Sequence, residues 1–141
     1  MINFDSVIHA HDDLWYDQEC EVVRAEVERL APSAWEAFER QCLLLPARTQ
    51  ERMAYVLGDV DTVGSARLLL QLCRGPAGDT ALTAREAIRS MTPDIVKQAA
   101  LTLSPAFTGH TIEEILGAMQ WTTVPPGEAA SFDSKSRLIN P

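Results

Sequence analysis

Residues 9–21 of the chain read "HAHDDLWYDQECE" and concentrate most of its chemically capable side chains. Two histidines, five carboxylates, a cysteine and two large aromatics share thirteen positions. His9 and His11 would face one way in an extended segment and could ligate a metal together, with oxygens from Asp12 or Asp13 and a thiolate from Cys20. In a helix the same two rings point about 200° apart. The only other histidine, His110, lies a hundred residues on, so a full ligand set needs a distant contribution. A His-x-His pair would make the chain a small metal-dependent enzyme. That is the least favoured of three readings, and neither metal nor cofactor is expected.

Nucleophilic catalysis has weaker support. Cys20 sits between Glu19 and Glu21, whose negative charge raises a thiol's pKa and blunts it. The chain contains neither a GxSxG elbow nor a phosphate-cradling glycine loop nor a dinucleotide fingerprint. Glu113 and Glu114 are neighbours that diverge on a helix, and Glu114 is explained by a cap. Catalytic residues are therefore not expected. Trp15 and Tyr16, flanked by Asp12, Asp13, Asp17, Glu19 and Glu21, instead have the composition of an interface anchor. Rings supply contact area with a polar tip, and carboxylates steer a basic partner. Glu36 and Glu39 are second-line members of that surface. The competing reading turns one ring inward to close the end of the core, and each ring could take one role.

These side chains must be placed by helices. Val23, Val27 and Leu30 share one helical face, as do Trp35, Phe38, Cys42 and Leu45. The three-four spacing continues through Met53/Val56/Leu57, Ala66/Leu70/Cys73, Ala84/Ala87/Ile88, Ile95/Ala99/Leu103 and Ile112/Ile115/Leu116/Met119. Pro32, Pro46, Gly58, Gly75-Pro76 and Pro105 punctuate the pattern. The spacing predicts helices over 18–31, 33–45, 48–57, 61–74, 79–91, 93–103 and 111–120, with a further short helix compatible with 4–10. Ser33/Glu36 and Thr111/Glu114 match the capping box, and Thr92-Pro93 matches a capped helix start. The segment "WTTVPPG" at 121–127 reads as extended, and residues 125–141 as a tail, loose or strapped to the surface. The expected organisation is one all-α domain over 1–124, followed by that tail.

At 141 residues the chain holds one domain with a real core. It has 46% hydrophobic and 23% charged residues, the balance of a soluble globular protein, and contains no apolar run of membrane-spanning length. Its N-terminus lacks a signal peptide's basic start and apolar centre, and Cys20, Cys42 and Cys73 are sparse and unpaired. Together these predict a cytoplasmic protein with reduced thiols. The net charge of −8 excludes nucleic acid or an anionic membrane as a direct ligand. Residues 1–45 carry ten acids against three arginines, nearly all of the excess. A run of this kind serves solvation by default, and a docking surface for a basic protein when something anchors it.

The middle of the chain is self-similar. Met53, Val56 and Leu57 recur as Ala84, Ala87 and Ile88, with the leucine-rich "ARLLLQLC" between them. Residues 51–91 resemble a HEAT-type repeat, the resemblance being carried by the "YVLGD" turn, Ala66-x-x-Leu69-Leu70 and Ala84-x-x-Ala87-Ile88. Gly58 suits a left-handed helix terminus and Asp59 the turn after it. The "CRGPAGDTAL" connector departs from the family in length and glycine content, and residues 1–45 do not match it. The resemblance implies a stack of antiparallel helix pairs, about seven helices in all. In size, charge and helical character the chain is also similar to immunity proteins of bacterial contact-dependent growth inhibition systems. That likeness is one of type and not of motif. It implies a non-enzymatic antitoxin whose acidic surface binds a basic toxin domain, most plausibly a nuclease. The alternative is a HEAT-like regulatory or scaffold protein for a cellular partner, with an apolar or mixed concave surface.

Overall fold

The computed structural model describes residues 2, 4–74 and 78–121. The tail expected over 125–141 and the extended segment 121–127 lie outside the described residues, apart from Trp121 at a helix end. Among the described residues every regular element is helical, so the all-α class holds. The elements are α1 (Asp5–His9), α2 (Asp12–Leu14), a π-helical turn (Trp15–Glu19), α3 (Cys20–Glu28), a 3-10 turn (Pro32–Ala34) and α4 (Trp35–Leu43). They continue as α5 (Ala47–Leu57), α6 (Val63–Leu72), α7 (Asp79–Arg89), α8 (Pro93–Leu103), a 3-10 turn (Pro105–Phe107) and α9 (Ile112–Trp121). The helices from α4 onward start and stop within two residues of the periodicity. The first long run differs. It begins at Asp12, six residues before the expected start, because α2, the π turn and α3 join into one helical rod.

The core is organised around α6. Ser65, Ala66, Leu68, Leu69, Leu70 and Leu72 are all buried, and only the side carrying Gly64, Arg67 and Gln71 is half-exposed. Around it, α5 packs on α7 and α6 on α8, with α6 also touching α7 and α5. α5 and α6 thus each pack on the next helix but one. The matching triplets Met53/Val56/Leu57 and Ala84/Ala87/Ile88 lie on two of these stacked helices. α3 extends the stack on the α5 side, α4 packs against α5 and α6, and α9 closes against α8 and α6.

Caps and close contacts set the turns. Thr62 accepts from the Ser65 amide at the start of α6, and the Ser65 hydroxyl donates to Leu57 O at 2.7 Å, satisfying a carbonyl at the end of α5. The Thr111/Glu114 box forms reciprocally, at 2.8 and 3.1 Å. The Ser33/Glu36 box does not form. Ser33 lies inside the 3-10 turn, and Glu36 pairs with Arg40 one turn on. Thr92 precedes Pro93 as expected, but its hydroxyl and amide donate to Asp61 and tie α8 to the loop before α6. Gly58 is right-handed (φ −62°), not left-handed. It is glycine for another reason: a Cβ there would stand 2.8 Å from the Cβ of Ala87, so α5 and α7 could not approach as they do.

Trp35 joins the stripe read from the sequence. Its ring meets Phe38 edge-on at 5.3 Å and lies over Gly64, where a Cβ would come within 2.9 Å of it. Phe4 stacks on the same Phe38, bringing the N-terminal segment onto the core.

Candidate functional site

The acidic N-terminal segment meets α5 at a buried arginine. Arg52 has 4% of its side chain exposed. Its Nη1 donates to Val7 O at 3.0 Å, its Nη2 to Asp12 Oδ1 at 2.7 Å, and its guanidinium lies 5.4 Å from the centre of the Trp15 ring. One side chain of α5 therefore holds α1, the start of α2 and the π turn. The planar fork of arginine suits this, because it can serve two acceptors in different directions and still stack on a ring.

The two neighbouring rings part company. Trp15 is fully buried, and this removes it from the outward surface set proposed from the sequence. Its indole is part of the core, with Nε1 buried and, among the described residues, without a hydrogen-bond partner. Tyr16 stays at the surface, 43% exposed. Its ring meets that of Tyr55, itself 46% exposed, edge-on at 4.9 Å. Tyr55 sits on the outer side of α5, off the face that buries Met53, Val56 and Leu57. Sequence reasoning passed over it. The available signal was an aromatic on the polar side of an amphipathic helix.

Intramolecular arginines absorb several of the proposed carboxylates. Asp12 pairs with Arg52 and Arg48, Glu21 with Arg24, and Glu36 with Arg40. Glu39 is largely buried against Arg67, which also donates to Thr102. Glu36 and Glu39 line a separate cleft with Trp35 and Gly64, away from Tyr16. Glu19 is half-buried and borders a groove with Asp5, His9, Ala10 and Leu14. Among the described residues Asp13, Asp17 and Glu19 make no ion pair. Glu51 and Asp12 are close enough to Tyr16 to bear on its hydroxyl electrostatically, and Asp59 bears likewise on Cys20. The outward surface is thus a tyrosine pair with Glu51 and Asp12 close to the Tyr16 hydroxyl, beside a cleft of about 520 Å³ lined by Asp12, Tyr16, Ala47, Arg48, Glu51, Arg52, Asp79 and Thr80.

The electrostatics follow from these contacts. The hydrogen bond from Arg52, then that from Arg48, holds the Asp12 carboxyl below its ordinary 3.8. Desolvation, then the Glu51 charge, pushes Tyr16 above its ordinary 10.0, so it stays a neutral phenol that can donate. Burial pushes Cys42 and Cys73 up to about 12, and burial with Glu21 raises Cys20. The thiols are therefore poor nucleophiles. His9 ends α1 and His11 precedes α2, both exposed, and no three potential ligands converge among the described residues. Nor, among those residues, is any helix long and apolar enough to cross a membrane.

Asp61 is lowered by Thr92, Glu113 by Arg89 and Glu114 by the Thr111 amide, as Asp12 is by its arginines. A carboxyl lowered in the folded state binds fewer protons there than in the unfolded chain. Its stabilisation is complete above the unfolded pKa and drains away as pH falls through the folded one. The melting temperature is expected to hold above about pH 5 and to drop steadily between about pH 4.5 and pH 2. Asp61→Asn combined with Glu114→Gln should flatten that drop. Thermal melts across the range decide, and a melting temperature that stays level or rises toward pH 3 would refute the assignment.

Among the described residues the chain is an all-helical fold that presents an exposed tyrosine pair beside the Glu51 and Asp12 carboxylates. No family model matches the chain, and no curated protein or solved structure matches it.

Proposed function

We propose that the chain is a non-enzymatic immunity protein that binds and neutralises a basic toxin domain, a nuclease. The observation that carries this reading is the exposed Tyr16–Tyr55 pair, with the Glu51 and Asp12 carboxylates close to the Tyr16 hydroxyl. A nuclease surface is basic because it must hold phosphates. Clustered carboxylates steer such a partner toward fast encounter, and half-exposed tyrosines supply the contact area that slows its release. Asp13 and Glu19, which make no ion pair among the described residues, add charge to the same segment. The packing of α5 on α7 and of α6 against both supports a HEAT-like stack for residues 51–91, with the N-terminal rod as an added binding element.

Co-production with the toxin domain encoded beside this gene tests the reading. The native chain should restore growth and bind the domain with strongly salt-dependent association. Tyr16→Ala with Tyr55→Ala should weaken binding by about 30-fold or more, the range of hot-spot truncations. Asp13→Lys with Asp17→Lys should slow association and flatten its salt dependence. A gene neighbourhood without a toxin, or full protection by all four substitutions together, would overturn it.

A further inference from the structure

Asp12 Oδ1 accepts from two guanidiniums at once, Arg52 Nη2 at 2.7 Å and Arg48 Nη2 at 2.9 Å. The two donors are not equivalent. Arg52 is buried and engaged by Val7 O and the Trp15 ring, so the fold already satisfies the carboxylate with it. Arg48 is 72% exposed, and Asp12 is its one hydrogen-bond partner among the described residues. It brings a second cation close to the first, onto the same oxygen, while the other Asp12 oxygen accepts no hydrogen bond among the described residues.

The space around this second guanidinium has more to offer a cation than Arg48 takes up. The cleft of about 520 Å³ lies within the roughly 300–1,000 Å³ of ligand-holding clefts. Glu51 and Asp79 line it, and neither makes an ion pair among the described residues. Tyr16 lines it too and joins it to the tyrosine pair. A guanidinium beside a carboxylate, an aromatic ring and two further free carboxylates is the surrounding in which arginine recognition is strong.

We propose that Arg48 is a resident stand-in for an arginine of the basic protein partner. In the free chain it occupies the outer position on Asp12. On docking, the partner's arginine enters the cleft, takes that position together with Glu51 and Asp79, and Arg48 turns out to solvent. The inference rests on the reading of the Tyr16 face as a docking surface for a basic protein. It adds the group recognised, and an internal competitor that lowers affinity for weakly basic partners. Arginine is specified over lysine because its planar fork can bridge separate carboxylates and stack on Tyr16, whereas an ammonium is a strongly hydrated point charge.

The full-length chain is titrated calorimetrically with two uncharged-backbone probes, an acetylated, amidated tri-arginine peptide and its tri-lysine counterpart, at low salt. Arg48→Gln should bind the arginine peptide about fivefold more tightly than the native chain does, since one exposed competing pair is removed. Adding Glu51→Gln and Asp79→Asn should reverse the gain, and the lysine peptide should show less of it. Melting temperatures should match the native one, because Arg48 is exposed. If Tyr16→Ala weakens peptide binding but Arg48→Gln leaves it unchanged, the stand-in is refuted while the docking face survives. Equal gains for both peptides would equally overturn the arginine assignment. If neither Tyr16→Ala nor Arg48→Gln has any effect, both inferences fall.

Discussion

Trp15→Ala is expected to destabilise the fold by about 3–5 kcal/mol, the range for truncating a large buried aromatic. The ring is fully enclosed and forms one wall of the pocket that holds Arg52. Its removal opens a cavity between the N-terminal rod and α5 and takes away the face on which the guanidinium rests. Domains of this size have about 5–15 kcal/mol in total, so the variant should unfold at a much lower denaturant concentration. Trp15→Phe should lose far less. It keeps most of the packing and removes an indole N–H that has no hydrogen-bond partner among the described residues. Tyr16→Ala, one residue on, should cost under about 1 kcal/mol, because its ring is half-exposed and touches chiefly Tyr55. Denaturant unfolding of the three variants decides. A Trp15→Ala loss as small as that of Tyr16→Ala would mean that the indole does not close the core.

Arg52→Ala should come next, at about 2–4 kcal/mol. Val7 O would lose its buried donor, and the Trp15 ring the cation over its face. Arg52→Met tests the division between volume and charge. It refills the space but donates nothing, so it should recover part of the loss. Arg52→Lys should also fall short, since one ammonium cannot reach Val7 O and Asp12 with the geometry of a fork. Loss of Arg52 also leaves Asp12 with Arg48 alone. The Trp15→Ala/Arg52→Ala double variant should destabilise by less than the sum of the two, because each single change already breaks their contact. Strict additivity would mean that the stacking contributes nothing.

The helices from α4 to α9 were legible because amphipathic periodicity and proline punctuation depend on local geometry alone. The Thr111/Glu114 box was legible on the same ground, its partners being three residues apart. The start of the first rod was not. From Cys20, Val23 and Val27 a 3.6-residue period runs back to positions 16 and 17, which are polar or exposed, so the apolar stripe reads as ending there. The π turn over Trp15–Glu19 holds one residue more than an α-helical turn. It shifts the register so that Trp15, five residues before Cys20, falls on the buried face and Tyr16 turns outward.

Composition and spacing by themselves determined an all-α chain whose negative charge gathers in its first third, with residues 9–21 as the densest part of it. Tertiary structure decided which of those charges are free. Asp12, Glu21, Glu36 and Glu39 are met by Arg48, Arg52, Arg24, Arg40 and Arg67. Pairs within one helix, such as Glu36 with Arg40, can be foreseen from a spacing of four. Those that bridge 28 to 40 positions, such as Arg67 with Glu39 and Arg52 with Asp12, exist only once the helices have packed. The same packing brought Tyr55 to Tyr16, because two residues 39 apart in the chain become neighbours only when α3 and the π turn lie along α5.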